Sequence, residues 1–141
     1  MSPKLIGYLC EHGAYTFYEN GHALLRTLPR GFQALPVAHL TQVGFAEIVK
    51  AFRLGATSVL LCGCATCRMD PQRTTVEHNY AEALRELERF GVSSERLVLA
   101  WCSHDEPEIF FELVHTTMAN LERQPPLVLP RMIDNTIQHC G

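Results

Sequence analysis

The sequence predicts an α/β fold with a single open, doubly wound and mostly parallel sheet of about four strands, flavodoxin- or Rossmann-like, with helices on both faces. Short apolar runs alternate with longer amphipathic stretches in the order βαβαβαβα, which is typical of parallel sheets. The chain has 141 residues, of which 47% are hydrophobic, enough for one domain with a packed core. We assign residues 1–123 to this domain. Residues 124–141, with three prolines and no clear periodicity, form a predicted C-terminal tail.

Each strand is predicted from an apolar run, and each helix from apolar residues at helical spacing. The strands are expected at residues 4–9, 32–38, 58–62 and 96–101. The helices are expected at residues 16–28, 43–54, 70–90 and 105–121. The second strand is the weakest of these predictions because Pro36 cannot donate a hydrogen bond to a neighbouring strand. Asp70 before Pro71 is a typical helix start, with Asp70 as the predicted N-cap.

Charge and hydropathy exclude several classes of partner. The net charge is −3 and the Lys and Arg residues are scattered, so we expect no nucleic-acid partner and no binding to anionic membranes. No apolar run approaches the ~20 residues that span a bilayer, and the first residues lack the features of a signal peptide. We therefore expect a cytoplasmic, reducing location, where six cysteines indicate metal binding or redox chemistry rather than disulfides.

Candidate ligand side chains follow the end of every predicted strand. In chain order they are Cys10, His39, Cys62, Cys64, Cys67 and Cys102. Because the carboxyl ends of parallel strands share one edge of a sheet, we expect these side chains to gather there. The following helices begin at the same edge, and their N-termini favour a bound anion such as a thiolate-ligated iron–sulfur cluster.

The sharpest local motif is the run Cys-Gly-Cys-Ala-Thr-Cys at residues 62–67. Cys64 and Cys67 form a CxxC pair whose sulfurs can bind one metal, and Gly63 lets the backbone turn close to it. Strand alternation predicts that Cys62 points the other way, into the packed core, although it stays a candidate ligand. The other two candidates at this edge are Cys102 and His12.

Three functions fit these residues. The first is electron transfer through an iron–sulfur cluster without catalysis, since the sequence contains no nucleophile elbow, Walker loop or GxGxxG fingerprint. The second is a zinc-binding adaptor domain, because cysteine and histidine also bind zinc in tetrahedral sites. The third is a thiol–disulfide redox protein that uses the CxxC pair.

Two segments resemble the delta subunit of methyl-viologen-reducing (coenzyme F420-non-reducing) hydrogenase. Residues 52–64, FRLGATSVLLCGC, are similar to that family's "AF-x-x-GA-x-x-VL-x-x-GC" segment. Residues 96–101, RLVLAW, are similar to its "RL-x-L-x-W" strand, which an acidic helix start follows, here Asp105-Glu106. Leu9-Cys10 at the end of the first strand matches as well. The resemblance covers roughly residues 4–122.

The resemblance implies one [2Fe–2S] cluster that relays electrons between a hydrogenase or dehydrogenase and a heterodisulfide-reductase-like flavoprotein. Flavin or iron–sulfur subunits are then the expected partners, and a homo-oligomer is compatible with this role. Where the family has a second cysteine shortly after the first, this chain has Gly13, and a family cysteine after the second strand appears as His39. The ligand set carried over is therefore Cys10, His39, Cys64 and Cys67, in which an imidazole raises the reduction potential.

Overall fold

The structure, a computed structural model, describes residues 3–20, 27–125 and 127. It confirms the α/β fold class. The four strands are β1 (Leu5–Cys10), β2 (Phe32–Val37), β3 (Ser58–Gly63) and β4 (Leu97–Trp101). The α-helices are α1 (Thr16–Glu19), α2 (Phe45–Arg53), α3 (Gln72–Arg89) and α4 (Pro107–Glu122). Two short 3₁₀ helices lie at Leu40–Gln42 and Ser94–Arg96. None of the helices among the described residues is long and apolar enough to cross a membrane.

The sheet is parallel throughout and its strand order is β2-β1-β3-β4. The chain moves outward from β1 to β2, then returns to place β3 on the other side of β1. In open α/β sheets, this reversal of direction leaves a crevice at the carboxyl ends of the two central strands, where ligands bind. β1 and β3 are these strands, and both are buried along their whole length.

The helices lie on both faces of the sheet, as predicted, and form two apolar cores. The core on one face includes residues from α2 and α3 together with one side of the strands, among them Ile48, Phe52, Val76, Leu87 and Val59. The core on the opposite face includes residues from α1 and α4, among them Phe17, Phe110, Phe111, Val114 and Leu60. Successive strand residues therefore alternate between the two cores, as Leu61 and Cys62 of β3 do.

The weakest of the predicted strands does form, and it lies at an edge of the sheet. Leu9 of β1 is the register partner of Pro36 in β2, and β2 has no further strand among the described residues on its outer side. Proline has no N–H to donate. At the edge of a sheet this costs no hydrogen bond to a neighbouring strand. The edge position therefore explains why Pro36 is tolerated in β2.

Helix starts are less well predicted than the helices themselves. α3 begins at Gln72 with Pro71 in the N-cap position, so the prediction that Asp70 caps the helix is wrong. The Asp70 carboxylate instead accepts a hydrogen bond from the Thr74 hydroxyl at 2.7 Å. Residues 21–26 of the first predicted helix, and most of the tail predicted at 124–141, lie outside the described residues.

Candidate metal centre

Three cysteine thiols converge at the crevice between β1 and β3. Cys10 is the last residue of β1, and Cys64 and Cys67 lie in the loop that follows β3. The three sulfur atoms all lie within 4.8 Å of one another, and those of Cys10 and Cys67 are 3.6 Å apart. All three residues are buried, with Cys10 and Cys67 at 0% exposure and Cys64 at 4%. Such a group of thiols can hold a metal ion.

His39 lies beside this group of thiols. It lies shortly after β2, which ends at Val37. Its Nδ1 atom is 3.9 Å from the sulfur of Cys67. The 3₁₀ turn that begins there holds its backbone, because the Gln42 N–H donates to the His39 carbonyl at 3.1 Å. The side chain is exposed to solvent, unlike the three thiols. The structure thus brings together the four residues of the predicted ligand set; that they bind a metal stays a prediction.

The loop after β1 leaves no room for a side chain at Gly13, the position where the resemblance implies a second cysteine. The N–H of Gly13 donates to the Cys10 carbonyl at 2.9 Å, and Gly13 also bridges to Ser103 after β4. A Cβ added at Gly13 would lie 2.9 Å from the Cβ of Cys64, closer than real Cβ contacts. A fourth ligand at this position would therefore require the backbone to move, whereas His39 needs no such change.

Burial and hydrogen bonding shift the pKa values of the thiols in opposite directions. Burial raises the pKa of Cys10 well above its usual value. Burial also acts to raise the pKa of Cys64, but hydrogen bonds from the Cys67 backbone N–H and from the Cys67 and Cys10 thiols outweigh it, so the Cys64 pKa is lowered. Since a metal binds thiolates, its binding must release the protons that burial retains on Cys10, and affinity will rise with pH.

The remaining sequence candidates do not join the three thiols. Cys62 points to the opposite face of the sheet, where it packs with Cys102 among residues of α4. A hydrogen bond between these two thiols and burial raise the pKa of Cys62, while the same hydrogen bond lowers the pKa of Cys102. His12 lies exposed in the loop after β1. Cys140 lies outside the described residues.

Trp101 ends the RLVLAW segment of the resemblance, but it was not among the candidate site residues. It ends β4 beside Gly63 of β3, and a Cβ added at Gly63 would lie 2.5 Å from its indole ring. The half-buried ring also lines a cavity of about 460 Å³ together with Cys64, Arg68 and Cys102. Trp101 therefore forms one wall of the cavity beside Cys64. Its position follows from the register of two neighbouring strands, which the sequence alone did not define.

Replacing Gly63 with alanine should displace Trp101, because the new methyl group would overlap the indole ring. The chain contains one tryptophan, so its fluorescence reports this contact directly, and we expect emission at longer wavelength. Gly44→Ala is the matched control, since an added Cβ there meets only a Glu47 carboxylate oxygen, at 3.5 Å. Unchanged emission in the Gly63 variant would show that the ring does not pack on Gly63.

Comparison with known proteins identifies the family of the chain. The family model for the delta subunit of methyl-viologen-reducing hydrogenase matches residues 5–123. A relative from Methanococcus voltae, an iron-sulfur subunit of the vhc F420-non-reducing hydrogenase, is 24% identical over 110 residues, which cover 77% of this chain and 76% of that protein. The resemblance noted in the sequence is confirmed. The chain belongs to the methyl-viologen-reducing hydrogenase delta subunit family.

Proposed function

We propose that this chain is a non-catalytic electron-transfer subunit that holds one [2Fe–2S] cluster through Cys10, His39, Cys64 and Cys67. The observation that carries the proposal is the set of three buried thiols within 4.8 Å of one another, with the His39 imidazole beside them. Membership of a hydrogenase subunit family supports a role in redox chemistry. The relative's name as an iron-sulfur subunit supports the choice of cofactor.

The donor set fits such a cluster in number and in type. Thiolates are the usual ligands of [2Fe–2S] clusters, and histidine replaces cysteine in some of them. When bound, the cluster supplies a one-electron change in oxidation state. The chain contributes the surroundings, because the complete burial of Cys10 and Cys67 excludes water from their sulfurs. Such exclusion tunes the potential of a metal centre.

We further propose that flavin or iron–sulfur subunits of a redox complex donate and accept the electron. A one-electron carrier needs one partner that donates the electron and another that accepts it. The five described cysteines are free thiols, which supports a reducing, cytoplasmic location.

Anaerobic purification with metal analysis tests the proposal. We expect equal amounts of iron and acid-labile sulfide, visible absorption, and a paramagnetic resonance signal that appears on reduction. A colourless protein that contains neither iron nor sulfide after anaerobic purification would contradict it.

Zinc is the second candidate, because all three sulfurs lie within 4.8 Å of one another, close enough to share a single ion. Two thiolates that each lie about 2.3 Å from a tetrahedral zinc ion are about 3.8 Å apart. The sulfurs of Cys10 and Cys67 are 3.6 Å apart, a separation that suits one shared ion. A zinc adaptor domain would contain one zinc ion per chain, remain colourless and lose structure on chelation. The same metal analysis therefore separates the two functions.

The His39→Cys variant tests the mixed ligand set. We expect it to retain iron but to shift the reduction potential downward by about 100 mV or more, because thiolate stabilises the oxidised cluster better than imidazole. A redox titration followed by paramagnetic resonance measures the shift. His78→Ala is the control, since His78 lies on the exposed side of α3 beside Glu82. An unshifted potential in His39→Cys would remove His39 from the ligand set.

A further inference from the structure

The sheet face that α4 covers is incompletely covered over β4. Phe110 of α4 packs on Phe32 of β2, at the opposite edge of the sheet, with the ring centroids 5.9 Å apart. Val98 of β4 is only half-buried on this face. On the other face α3 reaches β4, because the Tyr80 hydroxyl donates to the Leu97 carbonyl at 3.3 Å. Since parallel sheets are normally covered on both faces, a further segment is expected over β4 on the face of α4.

A groove of about 590 Å³ lies between β4 and α4 at this place. The half-buried apolar side chains of Val98 and Leu113 line it, and both also pack on the core of this face. Exposed side chains of Glu95 and Arg123 line the end where β4 begins and α4 ends. The other lining residues of α4 are Thr116, Thr117 and Asn120. The groove therefore offers apolar surface beside one charge of each sign.

The chain leaves α4 at that same end of the groove. Gln124 lines the groove, and its side-chain amide donates to the Glu95 carboxylate at 3.1 Å. The Arg96 guanidinium donates to the Pro125 carbonyl, which holds the chain against the start of β4. Leu127 lines an adjoining cavity, which shares Glu95 and Gln124 with the groove. The residues that follow Leu127 thus start next to the groove.

One polar atom between the groove and the adjoining cavity lacks a partner. The Oε1 atom of Gln124 is buried and accepts no hydrogen bond from the part of the chain that the structure describes. Buried polar atoms are nearly always hydrogen-bonded, so a donor is expected from outside the described residues. A segment that passed from the adjoining cavity into the groove would run beside this atom, because Gln124 lines both.

We propose that residues 128–134 of the same chain turn back after Leu127 and dock in this groove, with Arg131 beside Glu95. An extended chain spans about 3.3 Å per residue, so this segment reaches about 23 Å, whereas β4 is about 17 Å long. Its attachment at the end of the groove gives it a high effective concentration there, which a second copy of the chain would have to exceed.

The composition of the segment matches the groove. It carries one charge of each sign, Arg131 and Asp134, as the end of the groove does with Glu95 and Arg123. Its apolar side chains, which would cover the apolar surface of the groove, are Val128, Leu129, Met132 and Ile133. Docking would complete the cover of β4 on the face of α4.

Photo-cross-linking of the full-length protein tests this proposal. The photoreactive residue p-benzoylphenylalanine replaces Thr116, which is exposed and lines the groove, and mass spectrometry maps the products of irradiation. We expect cross-links to residues 128–134 within one chain. The matched control carries the same group in place of His115, which is also exposed but does not line the groove, and should form no such cross-links.

Two outcomes would overturn the proposal. Cross-links from position 116 that join two chains, and so migrate as a dimer on a denaturing gel, would assign the groove to a second copy. Absence of any cross-link from position 116 to residues 128–134 would show that the segment lies elsewhere. Asn120, which is exposed and lines the groove as well, provides a second position for the photoreactive group if the first variant does not fold.

Charge reversal tests the position of Arg131 in the groove. Arg131→Glu and Glu95→Arg each bring like charges together and should lower the yield of the cross-link about threefold, the effect of one exposed ion pair. The double variant restores opposite charges and should restore the yield. A double variant that cross-links no better than the single variants would contradict this placement.

These measurements do not depend on the proposed function. None of the substituted residues belongs to the proposed ligand set, so the cross-links should form with or without bound metal. The metal content of each sample, measured separately, tests the proposed function.

Discussion

Replacement of Cys67 with serine is expected to reduce the iron content of the anaerobically purified protein at least tenfold. Cys67 lies close to every other member of the proposed ligand set: its sulfur is 3.6 Å from the Cys10 sulfur, 3.9 Å from the His39 Nδ1 atom and within 4.8 Å of the Cys64 sulfur. Loss of even an outer-shell partner typically lowers metal affinity by about 10–100-fold, so loss of a ligand should cost at least as much. Iron per chain and the amplitude of the paramagnetic resonance signal measure the effect.

A control is needed because the chain contains other thiols. Cys140→Ser removes a cysteine outside the proposed ligand set and should leave the iron content unchanged. Circular dichroism should show that both variants retain their helices. If Cys67→Ser is folded and retains its full iron content, the three converging thiols are not the metal site.

The largest effect on stability is expected for Phe110→Ala, which should lower the free energy of unfolding by about 3–5 kcal/mol. Phe110 is 0% exposed and packs against three other rings, with centroid distances of 5.8 Å to Phe17, 5.9 Å to Phe32 and 5.6 Å to Phe111. Its removal would leave a cavity where α1, α4 and β2 meet one face of the sheet. Urea unfolding followed by circular dichroism measures the change.

Ile109→Ala is the matched control because it changes the adjacent residue of the same helix. Ile109 is 48% exposed, and we expect its replacement to change the free energy of unfolding by about 0.5 kcal/mol or less. Equal losses in the two variants would mean that α4 does not pack on the sheet through Phe110.

The fold was predictable because each of its strands is an apolar run that no helix pattern fits. β1 and β3 are central and covered on both faces, so their residues are uniformly apolar or small, and the run at 58–62 is the clearest strand in the sequence. Pro36 marked the second strand as weak, and the structure places it at the sheet edge. The order of the strands was not predicted, since it depends on contacts between distant segments.

The proximity of the candidate ligands was predictable for a topological reason. Parallel strands end at one edge, so Cys10, His39 and Cys64 were expected at the same edge once the fold class was assigned, and the strand order β2-β1-β3 places them side by side. The contact of Trp101 with Gly63, and the tight fit of Gly13 against Cys64, depend on atomic packing across strands. The Asp70 cap was wrong because local sequence does not reveal that the Thr74 hydroxyl would engage the same carboxylate.

The separation of Cys10 and Cys67 along the chain has a consequence for assembly. These residues are 57 positions apart, and their sulfurs meet only after β1 has paired with β3. An ion bound by both would close a loop of that length. In the chain-entropy treatment of cross-links, the entropy that the unfolded chain loses stabilises the folded state by about 4 kcal/mol. Metal insertion would thus come late in folding. The bound ion would then link β1 to the loop that follows β3.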